Sequence, residues 1–318
     1  MKEGNEINMK TLPNFFIVGA ARCGTTSLNR YLSQHPEIFI TPKKETHFFA
    51  CGLFPSSFKG PGDERLNERV ITDEAQYAQL FAGVKGAKAV GEASVFYLCY
   101  PGTAERIAQV VPDAKIIILL REPVERAYSA YTFLFGRETL EFAEGLRREE
   151  ERKQADFEPM WWYKEAGLYY HQVKHYLDIF GTEQVKVVLY DDLCANPEQT
   201  LRAIFSFLGV DEDVAINTSV RYNPAGVPKS RRLYLLLNHF IYHPSTLEKR
   251  IKSLVPHHLR LAWASKAIGI FTRSESMDTQ LYTQLKASFA EDVSKLEDLL
   301  QRDLHHWHYR ELSIMQKS

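Results

Sequence analysis

The chain has 318 residues, 45% hydrophobic and 25% charged, with 39 Lys and Arg against 40 Asp and Glu, for a formal net charge of −1. These values sit near the globular average and exclude disordered, collagen-like and low-complexity classes. The charge balance argues against a nucleic-acid partner, since such binders carry a basic excess. The length buries enough apolar surface to need no staple of disulfides or metal. At ~150 residues per domain it allows one large α/β domain or two ordinary ones.

Cys23, Cys51, Cys99 and Cys194 form no CxxC pair. They read as free thiols in a reducing compartment. The first dozen residues are polar and lack the apolar core of a signal peptide. The purest apolar run, residues 116–120, is far too short to span a bilayer. A soluble, cytoplasmic protein with no integral membrane segment is expected.

In chain order, residues 15–18 (FFIV) read as a buried parallel strand that breaks at Gly19. From Thr25 the pattern turns helical: Leu28, Tyr31 and Leu32 share a face, and His35-Pro36 stops it. Residues 88–91 are a second strand. The helix after it has Pro101 near its start, Ile107, Val110 and Val111 on its apolar side, and Pro112 at its end. Residues 115–120 are the clearest strand, running into Arg121-Glu122-Pro123, where proline suits the first turn of a helix. The charged stretch 138–153 reads as a solvated helix with i,i+4 pairs. Residues 185–190 are the next strand. Asn196-Pro197-Glu198 caps a helix that turns Leu201, Ile204, Phe205 and Leu208 inward. Residues 221–232 (RYNPAGVPKSRR) are a loop with four cations, and the apolar run 233–241 is a core helix or a flap. A last long helix spans about 279–304 through Leu281, Leu285, Phe289, Val293, Leu296, Leu300 and Leu304.

Apolar strands alternating with helices predict an α/β, P-loop-type three-layer fold, a central parallel sheet flanked by helices. One domain is expected over residues 12–312, with a flexible N-terminus (1–11) and a short tail (313–318).

The most informative segment is residues 19–27 (GAARCGTTS), between the first strand and the first helix. Amide groups at such a junction face outward, and the helix dipole favours an anion. Gly19, Gly24 and Thr26 keep the spacing of the ATP-binding loop, G-x4-G-K-[ST], but Thr25 stands in the lysine position. The one cation in the loop is Arg22. The strand 115–120 ends in Arg121 where a magnesium-binding aspartate would stand, and Asp191 and Asp192 are weak substitutes. Such a loop suits a metal-free phosphate or phosphosulfate. A second anion site is read at Arg121 and Ser129, eight residues apart at a strand end and on the next helix. Arg121 also has Glu125 within salt-bridge spacing, and Arg126 reads as a surface residue.

Together these segments resemble the sulfotransferases that use 3′-phosphoadenosine 5′-phosphosulfate (PAPS). The family's 5′-phosphosulfate loop is similar to residues 15–28 (FFIVGAARCGTTSL), and its 3′-phosphate motif to residues 119–131 (LLREPVERAYSAY). Residues 44–49 (KETHFF) resemble the E-x-H-F-F motif of the carbohydrate branch, which includes the heparan sulfate O-sulfotransferases. Residues 91–94 (GEAS) and the ending in Trp307 look like bacterial members. The resemblance implies that Arg22 stands where the family has a lysine on the transferring group. Cys23, Gly24, Thr25, Thr26 and Ser27 would line the 5′-phosphate, and Arg121 and Ser129 would hold the 3′-phosphate. Lys229, Ser230 and Arg231 would close over the cofactor. Glu45 matches the family's base, with His47 beside it as the alternative base. Ala93 stands where heparan enzymes carry a second lysine, which argues against a heparan-like acceptor.

The resemblance thus implies a PAPS-dependent enzyme without a metal. It would transfer a sulfuryl group in line to a hydroxyl or amine of a small-molecule or carbohydrate acceptor. The competing readings are a P-loop kinase and a non-catalytic nucleotide binder on the same fold. Residues 161–163 (WWY) read as core rather than acceptor wall, and the histidines near the end as no metal site.

Overall fold

The computed structural model describes residues 12–219, 227–228, 272–273 and 277–309. Strand β1 (Phe15–Gly19) leads through the phosphate loop into α1 (Thr25–Leu32), and β2 (Ile38–Ile40) follows. A single helical turn (Phe48–Ala50), α2 (Glu64–Asn67) and α3 (Glu74–Gln79) precede β3 (Ala89–Ala93). Then come α4 (Thr103–Val110), β4 (Lys115–Leu120), α5 (Pro123–Phe133), α6 (Phe142–Arg147), α7 (Glu149–Gln154) and α8 (Tyr169–Phe180). The described chain continues with β5 (Val185–Leu189), α9 (Tyr190–Ala195), α10 (Pro197–Leu208), α11 (Thr279–Leu300) and α12 (His305–Tyr309). Val227–Pro228 and Thr272–Arg273 pair as a two-residue antiparallel ribbon.

The five main strands form one parallel sheet in the order β2-β3-β1-β4-β5. Helices on both faces explain why its strands are continuous apolar runs rather than alternating ones. All five residues of β1 are buried, and Ile116, Ile117, Ile118, Leu119 and Leu120 of β4 are wholly so. Each such side chain contributes roughly 1.5–3 kcal/mol of burial. A Cβ on Gly91 in β3 would sit 2.0 Å from the Phe15 ring, so the closeness of β3 to β1 depends on that glycine. Against β4 the register of β1 shifts between Ile17 and Gly19, at the point where the strand gives way to the phosphate loop.

Three expectations need correcting. The sequence reading has no strand at β2, whose three residues lie just past the His35-Pro36 stop and are too few to show a period. The stretch 138–153 becomes helical only from Phe142, in two short helices; the expected i,i+4 pair is there as Glu144–Arg148, but Glu138, Glu149 and Arg152 are buried, because Arg152 pairs with Glu138, Tyr163 bonds the same carboxylate, and Glu149 accepts from the amides of Lys164 and Glu165. The last long helix ends at Leu300, where Gln301 turns left-handed (φ 48°), and Leu304 is buried from the following segment. The aromatic run 161–163 is core, as read, with Trp161 and Tyr163 fully buried. The run 233–241 lies outside the described residues.

Candidate active site

The C-terminal edge of the sheet beside β1 is where open α/β sheets take their ligands. The phosphate loop turns there. Gly24, just before α1, has φ 88°, and a Cβ on it would lie 2.7 Å from the Tyr190 ring. Only glycine meets both demands cheaply. No side chain caps α1, so its first-turn amides are available to an anion. Thr25 and Ser27 are buried, and Thr25 and Thr26 line the adjoining cavity.

Arg22 leaves the loop with φ 71° and lies over the Phe133 ring at 4.6 Å. Its Nε donates to Ser129 Oγ at 3.1 Å, so the loop cation and the α5 hydroxyl meet although they are 107 residues apart. Burial and the charges of Arg121 and Arg126 lower the Arg22 guanidinium from its ordinary value to about 10. A cation held among cations makes a place that favours an anion. Arg121 donates Nε to Glu125 at 3.0 Å and lies over the Tyr190 ring at 4.9 Å. Arg121 thus makes the ion pair with Glu125 that its spacing allows, at the strand end where the sequence also reads an anion site.

Arg126 corrects the sequence reading. It is fully buried and donates to the carbonyls of Trp162 and Tyr163, fastening α5 to the turn before α8. Its other two nitrogens have no hydrogen-bond partner among the described residues. Cys23 is also fully buried, its Sγ between Ala21 O and Tyr169 OH, so only its backbone faces the loop. Lys229, Ser230 and Arg231 lie outside the described residues.

A cavity of ≈ 340 Å³ opens beside the loop. Arg22, Thr25, Thr26, Glu45 and His47 all line it. The rest of its wall is apolar at Leu66, Val95, Phe96, Phe133 and Met160, and basic at Lys44, Arg65, Arg69 and Arg137. Glu158 is the other carboxylate of the wall. Burial and neighbouring Asp63 push it up to about 7 against the pull of Arg137, so its negative charge is weakened.

Glu45 accepts from the Val95 amide at 2.8 Å and pairs with Lys44. Burial would raise its carboxyl, but Lys44, His47 and the amide together bring it below the usual carboxylate range. His47 is 1% exposed, stacked on Phe96 at 5.1 Å, with Nε2 3.5 Å from Glu45. Burial drives the imidazole down to about 4; Glu45 opposes this, while Lys44 and Arg69 add to it. At neutral pH the pair is therefore a carboxylate beside a neutral ring. Lys44 also reaches Thr25 Oγ1 at 3.4 Å and so bridges the carboxylate to the phosphate loop. The sequence reading assigned it no role, and its one signal was its place next to Glu45. Asp191 and Asp192 are engaged elsewhere, by Trp307 and His306 and by Arg302.

The model of the Sulfotransferase family matches residues 13–213, which is more than half of the chain and contains the phosphate loop, Arg121 and Ser129, and the Glu45–His47 pair. The chain belongs to the sulfotransferase family. The crystal structure of a sulfotransferase from Alicyclobacillus acidocaldarius is 46% identical, with a TM-score of 0.74 over 93% of this chain and 98% of that one. Among curated relatives, the membrane-associated sulfotransferase kil1 of Dictyostelium discoideum is 37% identical over 122 residues, 38% of this chain and 23% of its own. Mouse carbohydrate sulfotransferase 15 is 25% identical over 260 residues, 65% of this chain and 46% of its own. This sulfotransferase thus spans less than half the length of either curated relative. None of its described helices is long and apolar enough to cross a membrane.

Proposed function

We propose that this chain is a PAPS-dependent sulfotransferase acting on a hydroxyl of a carbohydrate or small-molecule acceptor. The observation that carries the reading is the meeting of Arg22, Ser129 and the uncapped start of α1 at one end of a cavity that holds Glu45 and His47 at its wall. Two anion sites and a proton acceptor are what a metal-free group transfer needs from the protein. PAPS supplies the activated sulfuryl group. The amides of residues 24–27 and the hydroxyls of Thr25 and Thr26 would hold its 5′-phosphate, and Arg121 and Ser129 its 3′-phosphate. The depressed Arg22 guanidinium supports this fit, because a bound anion relieves the repulsion it bears.

Each residue then has a defined task. Arg22 steadies the negative charge that grows on the leaving phosphate oxygen. Glu45 accepts the acceptor's proton as the new S–O bond forms, which its ionised state at neutral pH permits. His47, neutral and uncharged, orients that carboxylate through Nε2. Lys44 holds the Glu45 carboxylate against α1. The kinase alternative loses its support: Thr25 occupies the lysine position, and the aspartates after β5 are bound to the C-terminal segment.

The cavity also informs the acceptor. Lys44 is paired with Glu45, and Arg137 with Asp63 and Glu158, while Arg22 and Arg69 add positive charge to the same wall. That balance suits a hydroxylated acceptor that itself carries a negative charge. The free cysteines are in keeping with a cytoplasmic place.

The test is thermal denaturation with PAP, the desulfated product, against ATP plus Mg²⁺. A ligand confined to the folded state raises the melting temperature by mass action. Stabilisation by PAP alone, lost in Arg121→Ala, is expected. Stabilisation by ATP–Mg²⁺ with none from PAP would return the kinase reading.

A further inference from the structure

The turn carrying the proton-accepting pair has an unfavourable backbone. Glu45 (φ 62°) and His47 (φ 49°) are both left-handed. Each such non-glycine residue costs roughly 1–2 kcal/mol. Something must hold the turn open toward the cavity, and backbone pairing does part of it. The Glu45 amide bonds Ala93 O at 2.9 Å, and the Ile71 amide bonds Thr46 O at 2.9 Å.

Behind the turn lies a group that the chemistry above does not use. Glu92 of β3 is 0% exposed and has no ion pair with any described residue. Its carboxylate receives four hydroxyls. Thr46 Oγ1 (2.7 Å) and Ser94 Oγ (2.5 Å) donate to Oε1, and Tyr77 OH (3.0 Å) and Tyr97 OH (3.1 Å) to Oε2. Three of the four also grip the turn. Thr46 stands between Glu45 and His47. Ser94 Oγ accepts from the His47 amide at 3.0 Å, and Tyr97 OH from the Phe49 amide at 3.2 Å. Tyr77 grips it differently, stacking on Phe48 with ring centroids 4.1 Å apart.

The proton count makes this arrangement directional. A hydroxyl has one proton. Once Ser94 and Tyr97 donate theirs to Glu92, only lone pairs remain to face the His47 and Phe49 amides. A carboxylate, which can only accept, enforces that direction for every hydroxyl at once. A carboxamide cannot: its NH₂ would meet two of these hydroxyls as a donor, so those two would lose their acceptor and their protons would have to point elsewhere. Burial holds the Glu92 carboxyl above its ordinary value; the bonds from Ser94, Thr46, Tyr77 and Tyr97, which favour the charged form, offset only part of that rise.

We infer that Glu92 is a positioning residue for sulfuryl transfer: through Thr46, Ser94 and Tyr97, its buried carboxylate holds Glu45 and His47 in the strained turn at the cavity wall. The inference rests on the sulfotransferase reading for its kinetic consequence, but not for its structural one. It touches neither the phosphate loop nor α5.

The test is Glu92→Gln, which keeps size and removes the acceptor-only character, with Ser94→Ala as a second variant in case the first fails to fold. Three quantities are read: PAP affinity by calorimetry, PAP release from PAPS with a panel of 4-nitrophenyl glycosides, and the His47 imidazole titration by NMR. Displacing a reacting group by 1 Å costs about 10²-fold in rate. In either variant kcat is expected to fall by about that much, with the PAPS KM and the PAP affinity unchanged. The His47 titration should move from about 4 toward its ordinary 6.5 as the ring leaves its place against Phe96. A His47 titration identical to wild type would overturn the inference, as would a loss of PAP binding in step with turnover. If the wild type neither binds PAP nor releases it from PAPS, the sulfotransferase reading has failed, and the titration still judges Glu92.

Discussion

Replacing Arg22 with methionine should make the protein more stable and less active at once. The guanidinium falls below its ordinary value, to about 10, through burial and the nearness of Arg121 and Arg126. At about 1.4 kcal/mol per tenfold in an ionisation constant, keeping it charged costs the free protein roughly 3 kcal/mol. The sign is fixed by linkage: a cation whose folded value lies below its unfolded one destabilises the fold fully at every pH below about 10, and the cost fades as pH rises toward the ordinary guanidinium value. Methionine removes that cost while keeping similar bulk over Phe133. It gives up the bond to Ser129, about 1 kcal/mol, and the contact of the cation with the ring, about 0.5–1 kcal/mol. The left-handed backbone at this position costs either residue the same. The net is a gain of about 1 kcal/mol, or roughly 2 °C in melting temperature for a chain of this size. Turnover should fall by about 10²–10³-fold, as for loss of one donor to a developing oxyanion, and stabilisation by PAP should shrink. Calorimetric scans with and without PAP, together with PAP release from PAPS, measure all three. A variant that melts below wild type would refute the repulsion argument, and one that keeps full turnover would refute the assigned role.

Three further outcomes follow from the same geometry. Glu45→Gln should cut kcat by about 10²–10⁴-fold, the usual worth of a positioned base, while calorimetric PAP affinity stays at the wild-type value; retained turnover would remove Glu45 from the mechanism. The pH profile of kcat with a saturating neutral glycoside, which keeps Glu158 at the cavity wall from acting through acceptor affinity, should be flat through 6.5 and fall only in acid, because Glu45 is held below its ordinary 4.5 and His47 at about 4. An inflection between pH 6 and 7 would mean that the ring titrates in solution as a free histidine does. Arg69→Ala should raise the KM for a carboxylated or sulfated glycoside and leave that for a neutral one unchanged, with PAPS kinetics untouched; equal effects on both glycosides would argue against an anionic acceptor.

Much of this protein could be read along the chain because the signals are local. The runs 15–18 and 115–120 are continuous and apolar since both faces of their sheet are covered, and each becomes a strand of the core. Pro123 and Asn196-Pro197 mark helix starts through a fixed φ and a missing amide, and α5 and α10 begin there. The phosphate loop is equally local, since glycine spacing, hydroxyls and the strand-to-helix change are all in nine residues. What the tertiary structure alone decided is which charges are buried and whom they meet. Arg126 looks like any surface arginine on a helix, yet it is sealed against two carbonyls of residues 162 and 163. Lys44 and Thr25, or Arg22 and Ser129, share no sequence pattern, and their contact exists because the segments after β1, β2 and β4 meet at one edge of the sheet. Glu92 reads as one acid in a strand; four hydroxyls from three segments make it the anchor of the Glu45 turn. Period and capping act between neighbours a few residues apart, whereas the value of a buried charge depends on every group the fold packs around it.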